Sequence, residues 1–314
     1  MVTAMQVLQS MDPTRKRPSI ATIARKGGVG KSTLTCLLAA AYARSGMRVC
    51  VVDLDPQAST TRVLVNAGPV HARALSERLQ KGQSIADLAV PSRIEGLSVI
   101  GCAELLSVTE SQLLADPLGV TKVVRSLASL DQYPVDLLLI DTPPSLGPFT
   151  FGALMSCPHA LIPTICEDAS VRTLASAVRT VAETQVANPD LEVLAIVANR
   201  MERNTRHGLT ALETLRAAFG TQLATTVIPK AAAIAEGFQP GLPLDERAQV
   251  NDSIVALAEE LLGRMHGQGV AVPDVAATAT TAEGNEVVAG IDCNAGEAVK
   301  AANRRERTPT FDCR

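Results

Sequence analysis

Short apolar runs alternate with helical patterns along most of this chain. The runs at 19–24, 48–53, 97–101, 136–141, 159–163, 192–198 and 223–227 have the length of buried strands. Helical periodicity fills 32–45, 71–80, 118–130, 169–186, 206–219 and 250–265. Strand and helix in alternation predict an α/β fold, a doubly wound and mostly parallel sheet with helices on both faces. Asp53 and Asp141 each close a predicted strand at its C-terminal end. Open α/β sheets hold their ligands along that edge. The alternation stops after Met265. Gly, Ala, Thr, Glu and Asn dominate 266–314, which predicts a disordered tail. Residues 1–17 predict a flexible leader, and Met5 and Met11 are alternative starts. The folded domain is then 18–265.

Between the first predicted strand and the first predicted helix lies Lys26-Gly27-Gly28-Val29-Gly30-Lys31-Ser32-Thr33. A strand, a glycine-rich loop and a helix start form the setting of a phosphate-binding loop. Gly27, Gly28 and Gly30 let the backbone curl with its N–H groups inward. The helix N-terminus adds partial positive charge. In such a loop Lys31 neutralises the β- and γ-phosphates, and Ser32 offers its hydroxyl to Mg²⁺.

Composition narrows the picture. Hydrophobic residues make up 46% of 314, enough for a sizeable core. Aromatics are only 2% and Trp is absent, so the core is built from Ala, Val, Leu and Ile. That suits a parallel sheet covered by helices. The net charge of −3 excludes a polybasic nucleic-acid binder, so any DNA contact must come from a local patch. The 7 cysteines show no CxxC spacing and read as small buried thiols in a reducing cytosol. No apolar signal core flanks Arg15-Lys16-Arg17, and no run approaches the roughly 20 residues of a membrane span. A cytoplasmic protein with no membrane partner is expected.

One departure from the ordinary phosphate loop is informative. Arg25 stands where glycine is usual and is followed by Lys26, a second lysine that marks the deviant Walker A motif. The motif resembles that of the ParA/MinD family of P-loop ATPases. Val51-Val52-Asp53-Leu54-Asp55-Pro56-Gln57 resembles the family's second aspartate motif, and Leu138 to Pro144 its Walker B strand end. The stretch from Val227-Ile228-Pro229-Lys230 to Leu244 resembles the late ParA segment after the last core strand. The resemblance covers roughly 18–265 and is nearest to ParA/Soj-type partition ATPases. The core starts near residue 18, which leaves no room ahead of it for a helix-turn-helix.

The resemblance implies ATP as ligand, Mg²⁺ as cofactor, and weak intrinsic hydrolysis. It implies that 26–33 cradle the nucleotide, including Val29 and Thr33. Ser32, Asp53 and Asp141 then serve the metal, Asp53 and Asp141 through its water shell. Asp55 orients the attacking water. Lys26 crosses a dimer interface to the partner subunit's nucleotide, so ATP and dimerisation are coupled. Asn199, at the end of Val193–Ala198, either pairs with the adenine edge or is a structural strand-end residue. Pro229 is its expected neighbour. Implied partners are a second copy, non-specific DNA, and a ParB-like or other cargo adaptor, with nucleoid association. Arg172, Arg179, Arg203, Arg206, Arg216, Lys230, Arg247 and Arg264 are candidate phosphate contacts or solvated helix faces. Ala231-Ala232-Ala233 stands where the family often carries a basic residue.

Two other readings stay open. A MinD-like membrane-cycling regulator needs a C-terminal amphipathic helix with bulky apolar residues. The tail carries none, and Ile254, Leu257, Leu261 and Leu262 suit packing on the domain. A redox relative of the nitrogenase iron protein needs bridging cysteines. Cys102 and Cys157 lack the glycine-rich surroundings expected there.

Overall fold

The computed structural model describes residues 17–65, 71–167, 170–202, 205–230 and 248–267. Its strands are β1 (Ser19–Thr22), β2 (Val49–Asp53), β3 (Val90–Pro91), β4 (Leu97–Ile100), β5 (Leu137–Asp141), β6 (His159–Ile165) and β7 (Glu192–Asn199). They form a single 7-stranded sheet in the order β3-β4-β2-β5-β1-β6-β7. Every neighbouring pair is parallel except β3 with β4.

The central strands are aliphatic throughout because both of their faces are covered. Val49, Val51, Leu137 and Leu139 enter one apolar layer. Cys50, Val52, Leu138 and Ile140 enter the other. The first layer is closed by α1 (Lys31–Arg44) and α9 (Ala248–Met265), through Leu34, Leu38, Leu257 and Leu261. Tyr42 is fully buried there and donates its hydroxyl to the Ala258 carbonyl at 3.1 Å. The second layer is closed by α3 (Ala72–Lys81), α4 (Leu106–Ala115), α5 (Gly119–Ala128), α6 (Pro148–Ser156), α7 (Ser170–Thr184) and α8 (Arg206–Phe219). The short α2 (Ser59–Leu64) follows the end of β2.

Several expectations change. The 223–227 run is not a strand. Leu223 and Pro229 make only isolated parallel bridges, to Ile196 and Met201. The amides of Thr225 and Thr226 are instead taken by the Glu260 carboxylate of α9, both at 2.9 Å. Helices α2, α4 and α6 were not expected. α6, Pro-Phe-Thr-Phe-Gly-Ala-Leu-Met-Ser, is apolar on most sides and shows no helical stripe. Arg17, assigned to the leader, belongs with the domain and donates to the Tyr133 carbonyl at 2.9 Å. The rest of the leader and nearly all of the 266–314 tail lie outside the described residues. Among the described residues no helix is long and apolar enough to cross a membrane.

Candidate functional site

β1 runs out at Thr22, and the chain turns through 23–30 into α1. Gly28 and Gly30 take left-handed backbone angles, φ 77° and 87°. A Cβ on Gly28 would meet open space, so glycine is needed there for conformation alone. A Cβ on Gly30 would also strike the Asn199 amide at 2.3 Å. Gly30 caps α1 without any side-chain acceptor. Helix N-terminal amides attract anions, and this loop curls over them.

Lys31 opens α1 and is buried. Its Nζ stands 3.4 Å from Asp55 Oδ2 and 3.4 Å from Asp141 Oδ1. The ammonium therefore sits where the strand ends of β2 and β5 converge. Ser32 and Thr33 follow in the same helical turn, half-buried.

Asp53 and Asp141 are register partners on adjacent strands, and both are fully buried. Burial, and then the neighbouring Asp141 charge, push the Asp53 carboxyl up to about 7. Asp53 accepts from the Thr61 amide at 2.8 Å, the Thr61 hydroxyl at 2.7 Å and the Asp55 amide at 3.1 Å. Asp141 accepts from the Thr60 hydroxyl at 2.7 Å. Asp55 Oδ1 accepts from the Gln57 amide at 3.0 Å, and its carbonyl accepts from the Ala58 amide and the Cys102 thiol. Sequence reasoning missed Thr60 and Thr61. The only signal was a run of three hydroxyl residues, Ser59-Thr60-Thr61, one residue after Asp-Pro-Gln.

The loop's outer turn is braced from two sides. Lys26 pairs with Glu167, just past β6, at 2.7 Å, and each side chain is about half exposed at 47% and 49%. Arg25 donates to Ser176 of α7. Asn199 lies buried at the end of β7, and its Nδ2 donates to the Val29 carbonyl at 2.8 Å. Its Oδ1 accepts from the Arg200 amide at 2.9 Å, and Arg200 donates to the Gly28 carbonyl at 3.1 Å. Here the Asn199 amide holds the phosphate loop, which is the strand-end role left open by the sequence. Pro229 bridges to Met201, two residues beyond Asn199.

The candidate cations separate. Arg264 is structural: it pairs with Glu260 and donates to the carbonyls of Leu194, Thr221 and Leu223. Lys230 pairs with Glu202, and Arg179 with Glu183. Arg172, Arg206 and Arg216 are exposed on α7 and α8. Arg203, Arg247 and the triple alanine lie outside the described residues. Cys36, Cys50, Cys102 and Cys157 are buried. Burial pushes the Cys50 thiol up to about 11 and Cys157 to about 12, which keeps both protonated.

The family described as "AAA domain" matches residues 18–193. The chromosome-partitioning ATPase Soj of Thermus thermophilus is 32% identical over 250 residues, 78% of this chain and 96% of that protein. The sporulation initiation inhibitor protein Soj of Bacillus subtilis is 29% identical over 246 residues, 77% of this chain and 97% of that one. Among solved structures, cobyrinic acid a,c-diamide synthase from Mycobacterium smegmatis, with bound ATP analog and magnesium, superposes with a TM-score of 0.69. Its identity is 26%, over 80% of this chain and 97% of that chain. With the phosphate loop, both aspartate motifs and the sheet order in place, the chain belongs to the ParA/MinD family of P-loop ATPases.

Proposed function

We propose that this protein is a partition-type ATPase. It binds ATP with Mg²⁺, pairs as an ATP-sandwich dimer, and holds DNA non-specifically. It lets go when a ParB-like or other cargo adaptor stimulates hydrolysis. The observation that carries the reading is the buried Lys31 ammonium at the head of a glycine-capped helix, set between Asp55 and Asp141. A buried cation facing a curled backbone suits a polyphosphate.

The donor set of Ser32, Asp53 and Asp141 is all oxygen, which suits Mg²⁺. Two fully buried, adjacent carboxylates also favour a cation, because it relieves their mutual repulsion. When bound, the ion neutralises charge on the phosphates. Lys31 adds its own charge there. Asp55, on the loop between β2 and α2, orients the attacking water. Lys26 serves the nucleotide of the partner subunit.

Asp55→Ala is expected to bind ATP and accumulate as dimer while turnover falls at least ~100-fold, as for loss of a positioned acid or base. Size exclusion with ATP and a phosphate-release assay read the two halves. Normal turnover would remove Asp55 from the water-orienting role.

DNA binding is expected to need ATP and to ignore sequence, because phosphate contacts carry no base information. Of the cations singled out in the sequence, Arg172, Arg206 and Arg216 are exposed and serve as its phosphate contacts. Three neutralised phosphates would give about 40-fold weaker binding at 200 mM than at 50 mM salt, from a slope of about −0.9 per phosphate. Mobility shifts with unrelated duplexes measure this. A strong preference for one duplex, or equal binding without nucleotide, refutes it.

The MinD-like alternative gains nothing from α9. Ile254, Leu257, Leu261 and Leu262 are buried against the domain, so these bulky residues are not free for a bilayer.

A further inference from the structure

The hydroxyls of Thr60 and Thr61 both go to buried aspartates. A threonine inside a helix ordinarily turns its hydroxyl back to the carbonyl four residues earlier. Thr35, Thr180, Thr184 and Thr214 all do so here. Thr60 and Thr61 lie in the first turn of α2, and each gives its hydroxyl to a buried aspartate. Neighbouring strands are about 4.8 Å apart, a gap that two consecutive side chains can straddle. Thr60 reaches Asp141 at the end of β5, and Thr61 reaches Asp53 at the end of β2.

Each hydroxyl is itself oriented from behind. The Cys36 thiol of α1 donates to Thr60 Oγ1 at 3.7 Å. The Cys102 amide donates to Thr61 Oγ1 at 3.0 Å. Each oxygen thus accepts from one side, and its proton is left for the carboxylate. The consequences of the two bonds differ. Asp141 also faces Lys31, so Thr60 fixes the rotamer of a carboxylate on the metal side. Asp53 also accepts the Asp55 amide, so Thr61 fixes the end of the loop that carries Asp55.

We propose that Thr60 and Thr61 are a pair of positioning residues. Thr60 orients Asp141 for the metal, and Thr61 orients Asp53 and, through it, the Asp55 loop. The inference rests on the nucleotide reading above. Groups that orient metal-side carboxylates typically change metal affinity or activity 10–100-fold when removed.

The test replaces each hydroxyl by a methyl of nearly the same volume. ATP affinity is measured by calorimetry in Mg²⁺ and in EDTA, alongside kcat and KM. For Thr60→Val the gain in ATP affinity from Mg²⁺ is expected to shrink at least ~10-fold, with affinity in EDTA little changed. For Thr61→Val the kcat is expected to fall at least ~10-fold, with ATP affinity within about threefold of wild type. Thr60→Ser and Thr61→Ser keep the hydroxyl and are expected to restore both readouts, which a merely space-filling role would not require. Thr60→Ala and Thr61→Ala, which leave room for water, carry the same expectations if melting curves show that a valine variant does not fold. A wild type with a clear Mg²⁺ gain, beside valine variants without defect or serine variants as impaired as valine, overturns this inference alone. A wild type with neither Mg²⁺ gain nor turnover overturns the nucleotide reading and this inference with it.

Discussion

Lys31→Ala is expected to weaken ATP binding in Mg²⁺ by about 100-fold or more. The loss has two sources of the same sign. Each charged hydrogen bond to phosphate that disappears costs roughly 1.5–3 kcal/mol, about 10–150-fold. The ammonium also stands 3.4 Å from both Asp55 and Asp141, so its removal exposes an incoming polyphosphate to uncompensated carboxylates. A buried charge left without its partner is also costly to folding, on the order of 3–5 kcal/mol. A melting curve without nucleotide therefore accompanies the calorimetry, so that lost binding is measured on folded protein. Affinity within about threefold of wild type, on a folded variant, would sink the phosphate-loop reading.

Lys26→Ala is expected to separate binding from dimerisation. Lys31 and the loop amides remain, so the variant should retain appreciable ATP affinity as a monomer. Without the lysine reaching across, it should fail to form the ATP dimer and lose DNA binding and stimulated hydrolysis together. The substitution is structurally mild. The ion pair it removes, with Glu167, is half exposed on both sides. Such pairs contribute about 0–1 kcal/mol. Lys26→Arg should rescue only in part, because a planar guanidinium does not replace a compact ammonium in a tight phosphate site. Analytical ultracentrifugation with ATP and Mg²⁺ decides between the outcomes. A Lys26→Ala protein that dimerises like wild type would show that another group couples nucleotide to assembly.

Much of this was legible in the residue order, and the reasons are physical. Long aliphatic runs such as Leu137-Leu138-Leu139-Ile140 announce a strand buried on both faces, and they end at Asp141, the sheet edge where a ligand sits. What stayed hidden depends on contacts distant in sequence. The Glu260 carboxylate captures the Thr225 and Thr226 amides, so only the Ala224 and Ile228 amides of this run donate to β7, at Ile196 and Ala198. Nothing near residue 225 reveals that. The same holds for Asn199 gripping the Val29 carbonyl 170 residues away, and for Glu167 meeting Lys26. The threonine pair was invisible for a related reason. Its meaning appears only once two strands from different parts of the chain stand side by side.

The strand order also bears on how the chain is made. β2 pairs with β4, Val49 opposite Leu97, and on its other side with β5, so both of its neighbours follow it in the chain. β1, the earliest of the described strands in the chain, lies between β5 and β6. Ile20 pairs with Leu139 on one side and His159 on the other, so it waits about 140 residues for its second neighbour. At roughly 5–20 residues per second, that is roughly 7 to 30 seconds on the ribosome. Through that interval the apolar strand leading into the phosphate loop has an unpaired edge, a template for wrong pairing. The first functional motif to be translated is thus among the last to be fixed, and a nascent chain stalled before β6 has no completed nucleotide loop to be rescued by ligand.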